Sequence, residues 1–207
     1  MLVEGQVGPQ TLAPGARSLF RQGPSGEMNV GDAHARYQEA VYRGNVYSVA
    51  DQTGVALAAG LSTAPVNVCL FNPKGNNKLA VIWWAGIVSA VAPAAIVAVW
   101  IGVNTNIAAA AVTGTAATPQ NSMVGNANRA SILAFTTATL PAAPVASHVL
   151  GVIFTGAITT IPQQQSLGRW FDGSLIVAPG GAVSFQGSAA SGAAACFGDW
   201  VWEEIPI

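Results

Sequence analysis

Residues 66–103 of this 207-residue chain carry three apolar runs that are separated by two breaks. Each run is rich in Val, Ile, Trp and Phe, the residue types that favour β-strands. The first break, residues 72–78, combines Asn, Pro and Gly, which form tight turns for separate steric reasons. The second break contains Pro93. The pattern predicts a strand, a hairpin loop, a long strand, a bend and a third strand.

The same region raises the question of a transmembrane helix, because residues 79–103 are long enough to span a bilayer as a helix. Pro93 interrupts the run, and Trp83 and Trp84 lie inside it, whereas membrane tryptophans favour the two interfaces. We therefore expect strands and no membrane span. The amino terminus contains Glu4 and no apolar segment, so we expect no signal peptide.

The chain contains very little charge. Charged residues make up 8% of it, against about 25% in an ordinary soluble domain. Mixed surface charge normally keeps such a domain from associating, so the composition predicts that other protein covers much of the surface. A homo-oligomer or a lattice subunit is the simplest interpretation. The formal net charge of −1 gives no indication of binding to nucleic acid or acidic lipid.

The charge is also unevenly distributed. Residues 1–51 hold nine of the seventeen charged residues and all three tyrosines. This shift predicts an amino-terminal arm at residues 1–50 and a second domain at residues 51–207. Residues 1–30 are rich in Gly, Pro and Gln and show no periodicity, which is typical of an extended segment without its own core.

A short helix is predicted near residues 33–43. Asp32 suits the N-cap, Gly44 suits the position just after the helix end, and Tyr37 and Val41 share one face. A helix of about ten residues is marginal alone, so it must dock on something. Two alternatives stay open: the arm clamps a neighbouring subunit, or it folds back on its own domain.

Candidate contact residues follow from residue type and pattern. Tyr and Arg are over-represented among the residues that dominate binding energy at interfaces. Residues 79–91 are apolar on both parities, as expected of a strand with one side on the core and the other on a subunit. The candidates are Arg36, Tyr37, Tyr42, Arg43, Tyr47, Trp83 and Trp84.

The rest of the chain predicts short strands without intervening helices, which argues against a parallel α/β sheet. Loops are expected at residues 104–128 and 158–172. The fold class is therefore all-β: an antiparallel β-sandwich, of which the jelly roll is a common eight-stranded version. The further predicted strands are residues 45–50, 55–59, 131–136, 145–155, 174–178, 183–186 and 193–205.

No catalytic, cofactor or metal motif is found. Glu203 and Glu204 point to opposite faces of a strand, so they cannot form a glycosidase pair. His148 is expected to be a core histidine without a partner at metal-ligand spacing. Nucleophile and phosphate-loop motifs are missing from the sequence. Cys69 and Cys196 are predicted to be buried free thiols, with a disulfide as the alternative.

Three short segments resemble a group of tailed-bacteriophage virion proteins: residues 42–48 (YRGNVYS), 67–78 (NVCLFNPKGNNK) and 202–207 (WEEIPI). The resemblance extends from about residue 33 to the end of the chain. It implies a structural component of the virion and transfers no catalytic residue. Decoration or cement proteins of such capsids are often trimeric β-sandwiches or jelly rolls seated on the shell.

The leading hypothesis is a non-enzymatic capsid decoration or cement protein, located in the virion. Its expected partners are further copies of itself, as a trimer, and the major capsid protein or another virion protein, with no cofactor, nucleic acid or membrane. The alternative is a receptor- or carbohydrate-binding module of a tail or fibre. In that case Trp170, Phe171 and Asp172 would supply a stacking platform.

Overall fold

The chain divides into two compact units, Met1–Glu39 and Ala40–Ile207. In the first, β1 (Gly5–Gln6) and β2 (Phe20–Arg21) pair in parallel. The second is nearly all β. The computed structural model describes residues 5–6, 20–21, 37–64, 66–90, 93, 95–105, 112–154, 165–192 and 195–207.

The predicted helix is present in shortened form as α1 (Gln38–Tyr42). Gly44 follows it with a φ of 70°, and the Gly44 N–H donates a hydrogen bond of 2.9 Å to the carbonyl of Val41. Glycine adopts this left-handed conformation without steric cost, so the predicted helix end is confirmed. Residues 33–36 lie outside the described residues.

Two sheets form the second unit. The five-stranded sheet has the order β11-β5-β13-β3-β8, the six-stranded sheet has the order β10-β6-β12-β4-β9-β7, and the registered pairs within both are antiparallel. The strands are β3 (Val46–Ala50), β4 (Cys69–Phe71), β5 (Lys78–Ser89), β6 (Val97–Asn104), β7 (Thr113–Ala117), β8 (Gln120–Asn121), β9 (Leu133–Thr139), β10 (Val145–Ile153), β11 (Gln165–Val177), β12 (Ala182–Gly187) and β13 (Cys196–Pro206).

The pairing of eight of these strands defines a jelly roll. β3 pairs with β13, β4 with β12, β5 with β11, and β6 with β10. The first of the eight thus pairs with the last and the fourth with the fifth, as in one long hairpin. That hairpin is rolled up by the further pairs β13–β5 and β12–β6. The predicted all-β sandwich of jelly-roll type is confirmed. Strands β7, β8 and β9 lie between β6 and β10 in the sequence and extend the sheet edges.

The sandwich starts earlier in the chain than predicted, because β3 belongs to it. It pairs with β13 from Val46 to Ala50, so the sandwich begins before the predicted boundary at residue 51. The division between the two units lies earlier still, between Glu39 and Ala40.

The predicted hairpin at residues 72–78 is a crossover. The strands on either side of it, β4 and β5, belong to different sheets. Asn72 is fully buried, and its Nδ2 donates to the carbonyls of Lys78 and Val177, both at 2.9 Å. The same turn residues suit a hairpin and a crossover, and the buried amide of Asn72 fixes the crossover.

The other departures concern weak strand signals. Residues 104–128, predicted as a loop, contain β7 and β8. The Thr-, Gly- and Ala-rich sequence of β7 gives little apolar alternation, and β8 consists of one Gln and one Asn. Residues 158–172 overlap β11, which begins at Gln165. The predicted strand at residues 55–59 is reduced to isolated bridges. Edge strands depend on the backbone of their partner, which explains the weak local signal.

The main core lies between the two sheets. Trp200 and Trp202 are completely buried, and Phe185 stacks on Trp200 with ring centroids 4.6 Å apart. The indole N–H of Trp200 donates to the carbonyl of Val68 at 3.0 Å. Along β13, inward residues alternate with half-exposed ones up to Glu204.

A second apolar cluster covers the outer side of the six-stranded sheet. It includes Cys69 and Phe71, which flank Leu70 of the main core and therefore point to the opposite face. Cys69 and Cys196 are both buried and form no disulfide, so the prediction of buried thiols is confirmed. Burial raises the pKa of the Cys69 thiol to about 12.

Glu204 joins a long loop to the last strand. It is 1% exposed and accepts hydrogen bonds from Ser131 N–H (2.8 Å), Ser131 Oγ (2.7 Å) and Ile132 N–H (3.0 Å). The Nζ of Lys78 lies 2.9 Å from its Oε2. Burial alone would raise the pKa of Glu204, but these hydrogen bonds and the charge of Lys78 hold it below its usual value.

The buried Glu204 carboxylate predicts an acid-sensitive fold. A carboxyl group with a lowered folded pKa adds stability above its ordinary value of 4.5, and this stability is lost as the pH falls through the folded pKa. We expect Glu204→Gln to lower the free energy of unfolding at pH 7 by about 1.5–3 kcal/mol. We also expect it to flatten the loss of stability below pH 4.5, as measured by urea unfolding from pH 3 to pH 7.

Glu203 provides the matched control, because it is the neighbouring residue on the opposite face. Burial raises the pKa of Glu203, although the charge of Arg43 lowers it. Ionised Glu203 therefore opposes folding, and Glu203→Gln should not flatten the loss of stability below pH 4.5. If the free energy of unfolding of Glu204→Gln depended on pH as that of the wild type does, Glu204 would not be the source of the acid sensitivity.

Candidate functional site

The outer face of the five-stranded sheet is apolar and open. In register, Trp170, Trp84 and Val201 lie side by side on three strands. The charged side chains of β13 on this face are Asp199 and Glu203, which lie on either side of Val201. Monomeric proteins rarely leave a large continuous apolar patch exposed. We call this surface the sheet face; its half-exposed or exposed apolar residues are Val81, Trp84, Val88, Trp170, Ile176, Phe197 and Val201.

An aromatic pair stands at the centre of the sheet face. The Trp84 and Trp170 ring centroids are 5.2 Å apart with the planes tilted by 57°, and Trp170 is 56% exposed. The indole N–H of Trp84 donates to Asp199 Oδ2 at 2.8 Å. A Cβ at Gly86 or Gly168 would overlap the Trp84 side chain. These two glycines let the Trp84 indole lie close against the sheet.

The stacking platform proposed from sequence is only partly assembled. Trp170 is exposed, but Phe171 is 3% exposed and packs edge-on against His148, with ring centroids 5.1 Å apart. Asp172 is exposed and has a φ of 47°. It lies in an irregular segment of β11, where residues 171–174 stand opposite the single residue Trp83 of β5. Phe171 therefore cannot stack on a ligand. The aromatic partner of Trp170 is Trp84, from the neighbouring strand.

Two predicted contact residues lie at the end of α1. Tyr42 is 61% exposed and Arg43 is also exposed, so both present surface to a partner. Tyr37 is half-buried. Arg36 lies outside the described residues.

Two further predicted contact residues are internal. Tyr47 is 2% exposed; its ring lies 6.1 Å from that of Trp202, and its hydroxyl donates to the carbonyl of Arg129 at 3.2 Å. Burial raises the pKa of Tyr47, and the charge of Glu204 raises it further to a smaller extent. Trp83 is 7% exposed. Neither Tyr47 nor Trp83 has exposed surface for a partner, because both pack inside their own chain.

A cleft of about 620 Å³ opens beside the end of β3, between the edges of the two sheets. It is lined by residues 48–53, residues 115–118, Gln120, Asp199 and other residues, among them Trp200. Sequence reasoning missed this cleft because its walls come from segments that are far apart along the chain.

The described residues contain little else that suggests chemistry. His148 is half-buried, not in the core as predicted, and its Nδ1 lies 2.8 Å from the Ser147 hydroxyl. It sits on an edge strand, which explains its exposure. Within the described ranges, no group of three or more His, Cys, Asp or Glu side chains comes together.

The three segments that carry the phage resemblance come together in the structure. The Tyr47 ring of the first packs near Trp202 of the third. The Ile207 N–H of the third donates to the Asn77 carbonyl of the second at 3.0 Å. The motif residues thus contact one another within the frame of the sandwich.

Comparison of the chain with protein families, with curated proteins and with solved structures finds no match. Among the helices that the structure describes, none has the length and apolar character needed to cross a membrane. Residues 79–103, whose length raised that question, form β5 and β6 over most of their extent.

Proposed function

We propose that the protein is a non-enzymatic structural subunit of a virion: a decoration or cement protein of a tailed-bacteriophage capsid. Its jelly roll self-associates as a trimer, and its amino-terminal arm tethers it to the major capsid protein or another virion protein. The observation that carries the proposal is the open apolar sheet face on a chain with 8% charged residues.

The sheet face supports self-association on physical grounds. Burying apolar surface yields about 25 cal/mol per Å², and exposed Trp170 and Ile176 are available for such burial. The face has Asp199 and Glu203 as its charged groups, and charge is typically depleted at the centre of interfaces. The resemblance of three segments to phage virion proteins supports the particle context.

The native mass tests self-association. We expect the purified protein to have about three times the 21.0 kDa chain mass in light scattering without detergent. Ile176→Lys places a charge on the sheet face, where burial of an unpaired charge is costly. We expect it to raise the dissociation constant of the trimer at least tenfold.

The control for this experiment is Val124→Lys, which adds the same charge at a residue that is 96% exposed in a loop outside the sheet face. This variant should keep the wild-type mass. A monomeric wild-type protein, or Ile176→Lys with an unchanged mass, would contradict self-association through this face.

The arm is tested by removing residues 1–39, the first of the two compact units. We expect the shortened protein to keep its oligomeric mass and its unfolding midpoint, since the sandwich strands remain. It should lose attachment to capsids that lack the protein, measured by co-sedimentation. Undiminished attachment would show that the arm does not tether.

A carbohydrate-binding module is the second candidate, and the Trp84–Trp170 pair favours it. Exposed indoles on a flat sheet offer an apolar surface to a sugar ring, and the Asp199 carboxylate beside them accepts hydrogen bonds. We expect Trp170→Ala to abolish any signal on a glycan array, with Ile176→Ala as the matched control. No binding by the wild type to any glycan would exclude this function.

A further inference from the structure

A second apolar surface lies on the outer face of the six-stranded sheet. Alternate residues of β6 belong to the main core, so Ala98 and Trp100 between them point to the outer face. In the strand register, Val152 of β10 lies beside Ala98, and Val149 lies beside Trp100. Val149 is 61% exposed, and the other three residues are half-exposed. We call these four residues the β6–β10 patch.

The β6–β10 patch belongs to a surface without charged side chains of its own. Strands β6 and β10 contain no Asp, Glu, Lys or Arg. Ile96 and Phe154 directly adjoin the paired strand ends Val97 and Ile153. Both are 57% exposed, so they enlarge the apolar surface. Because a monomer rarely exposes a large continuous apolar patch, both outer sides of the sandwich have the character of a contact surface.

Both apolar surfaces reach the same edge of the sandwich. β10 and β11 are edge strands of the two sheets, and they pack against each other through the rings of His148 and Phe171. The sheet face reaches this edge at Trp170 on β11, and the β6–β10 patch reaches it at Val149 on β10. The edge is therefore flanked by one apolar surface on each side.

A trimer needs two different contact surfaces on each copy. In a closed ring of three, one surface of each copy meets another surface of the next copy. A surface that meets its own counterpart gives a two-fold dimer instead. The sheet face alone therefore cannot close the proposed trimer, and a second surface must meet it.

Charge favours a contact between the two unlike surfaces. The sheet face carries the Asp199 carboxylate, to which the indole N–H of Trp84 donates at 2.8 Å. Two sheet faces in contact would bring like charges together, which is costly. The exposed guanidinium of Arg169 stands at the edge beside the β6–β10 patch, with its Cζ 5.4 Å from the centre of the Phe171 ring. The cation beside one surface thus complements the carboxylate on the other.

We propose that the sheet face of one copy packs against the β6–β10 patch of the next copy, and that three such contacts close the ring. The occupant of the patch is thus a second copy of this chain. The inference rests on the proposed self-association through the sheet face and identifies the surface that receives it. The edge formed by β10 and β11 then points toward the three-fold axis, because both contact surfaces flank it.

The first test places a charge on the β6–β10 patch of the full chain. Val149→Glu would bury an unpaired carboxylate against the apolar sheet face, which is costly. We expect it to raise the dissociation constant of the trimer at least tenfold, as measured by light scattering over a dilution series. The matched control is Val124→Glu, which makes the same replacement at a loop residue that is 96% exposed. This control should keep the wild-type mass.

A mixture of two variants tests whether the unlike surfaces meet. Ile176→Glu damages the sheet face and leaves the β6–β10 patch intact, whereas Val149→Glu does the reverse. Each variant alone should be monomeric. An equimolar mixture should form a mixed dimer of about twice the 21.0 kDa chain mass, because one undamaged contact joins the two chains. If the sheet face met its own counterpart, Ile176→Glu would gain no partner in the mixture.

The outcomes separate this inference from the proposed function. A wild-type mass of one or two chains would overturn the proposed trimer and this inference together. A trimer that Ile176→Glu dissociates and Val149→Glu does not would overturn this inference alone, as would the lack of a mixed dimer. Circular dichroism establishes that each variant is folded. If Val149→Glu does not fold, Ala98→Glu on the same patch replaces it in both measurements.

Discussion

The pairing of the last strand, β13, in the middle of the five-stranded sheet is the interaction on which the rest of the sandwich depends. It runs between β5 and β3, so neither neighbour completes the sheet without it. Its inward residues Trp200 and Trp202 fill the core, and Glu204 holds the loop at Ser131 and Ile132. The partners are distant in sequence, so long loops must be closed before these contacts form, which slows the folding of such topologies.

The alternation along β13 also explains the unusual composition. Side chains alternate between the two faces of a strand. The inner set builds the core, while the outer residues Phe197 and Val201 continue the apolar rows of β5 and β11. A chain that is apolar on both faces of its central strands has few positions left for charge. The low charge and the open sheet face thus have one common cause.

Much of the fold could be predicted from sequence, because the decisive signals are local. Strand-forming runs without intervening helices predicted the all-β class, and Gly44 predicted the end of the helix. The ion pair of Lys78 with Glu204 and the contact of Trp84 with Asp199 could not be predicted, since each joins residues more than 100 positions apart. The orientation of Phe171 depends on an irregularity in strand pairing, for which the sequence has no distinct signal.

The close seating of Trp84 over Gly86 and Gly168 gives an exposed surface the mutational behaviour of a protein interior. Solvent-facing positions normally accept many residue types, but a Cβ at Gly168 would overlap the Trp84 indole, and a Cβ at the buried Gly86 would overlap both Asp199 Oδ1 and that indole. Selection on this patch would act on three positions as a unit, and divergence would be visible as paired replacement of the tryptophan and its glycines. Related sequences should therefore show coupled replacement at these three positions, whereas other solvent-facing positions should vary independently.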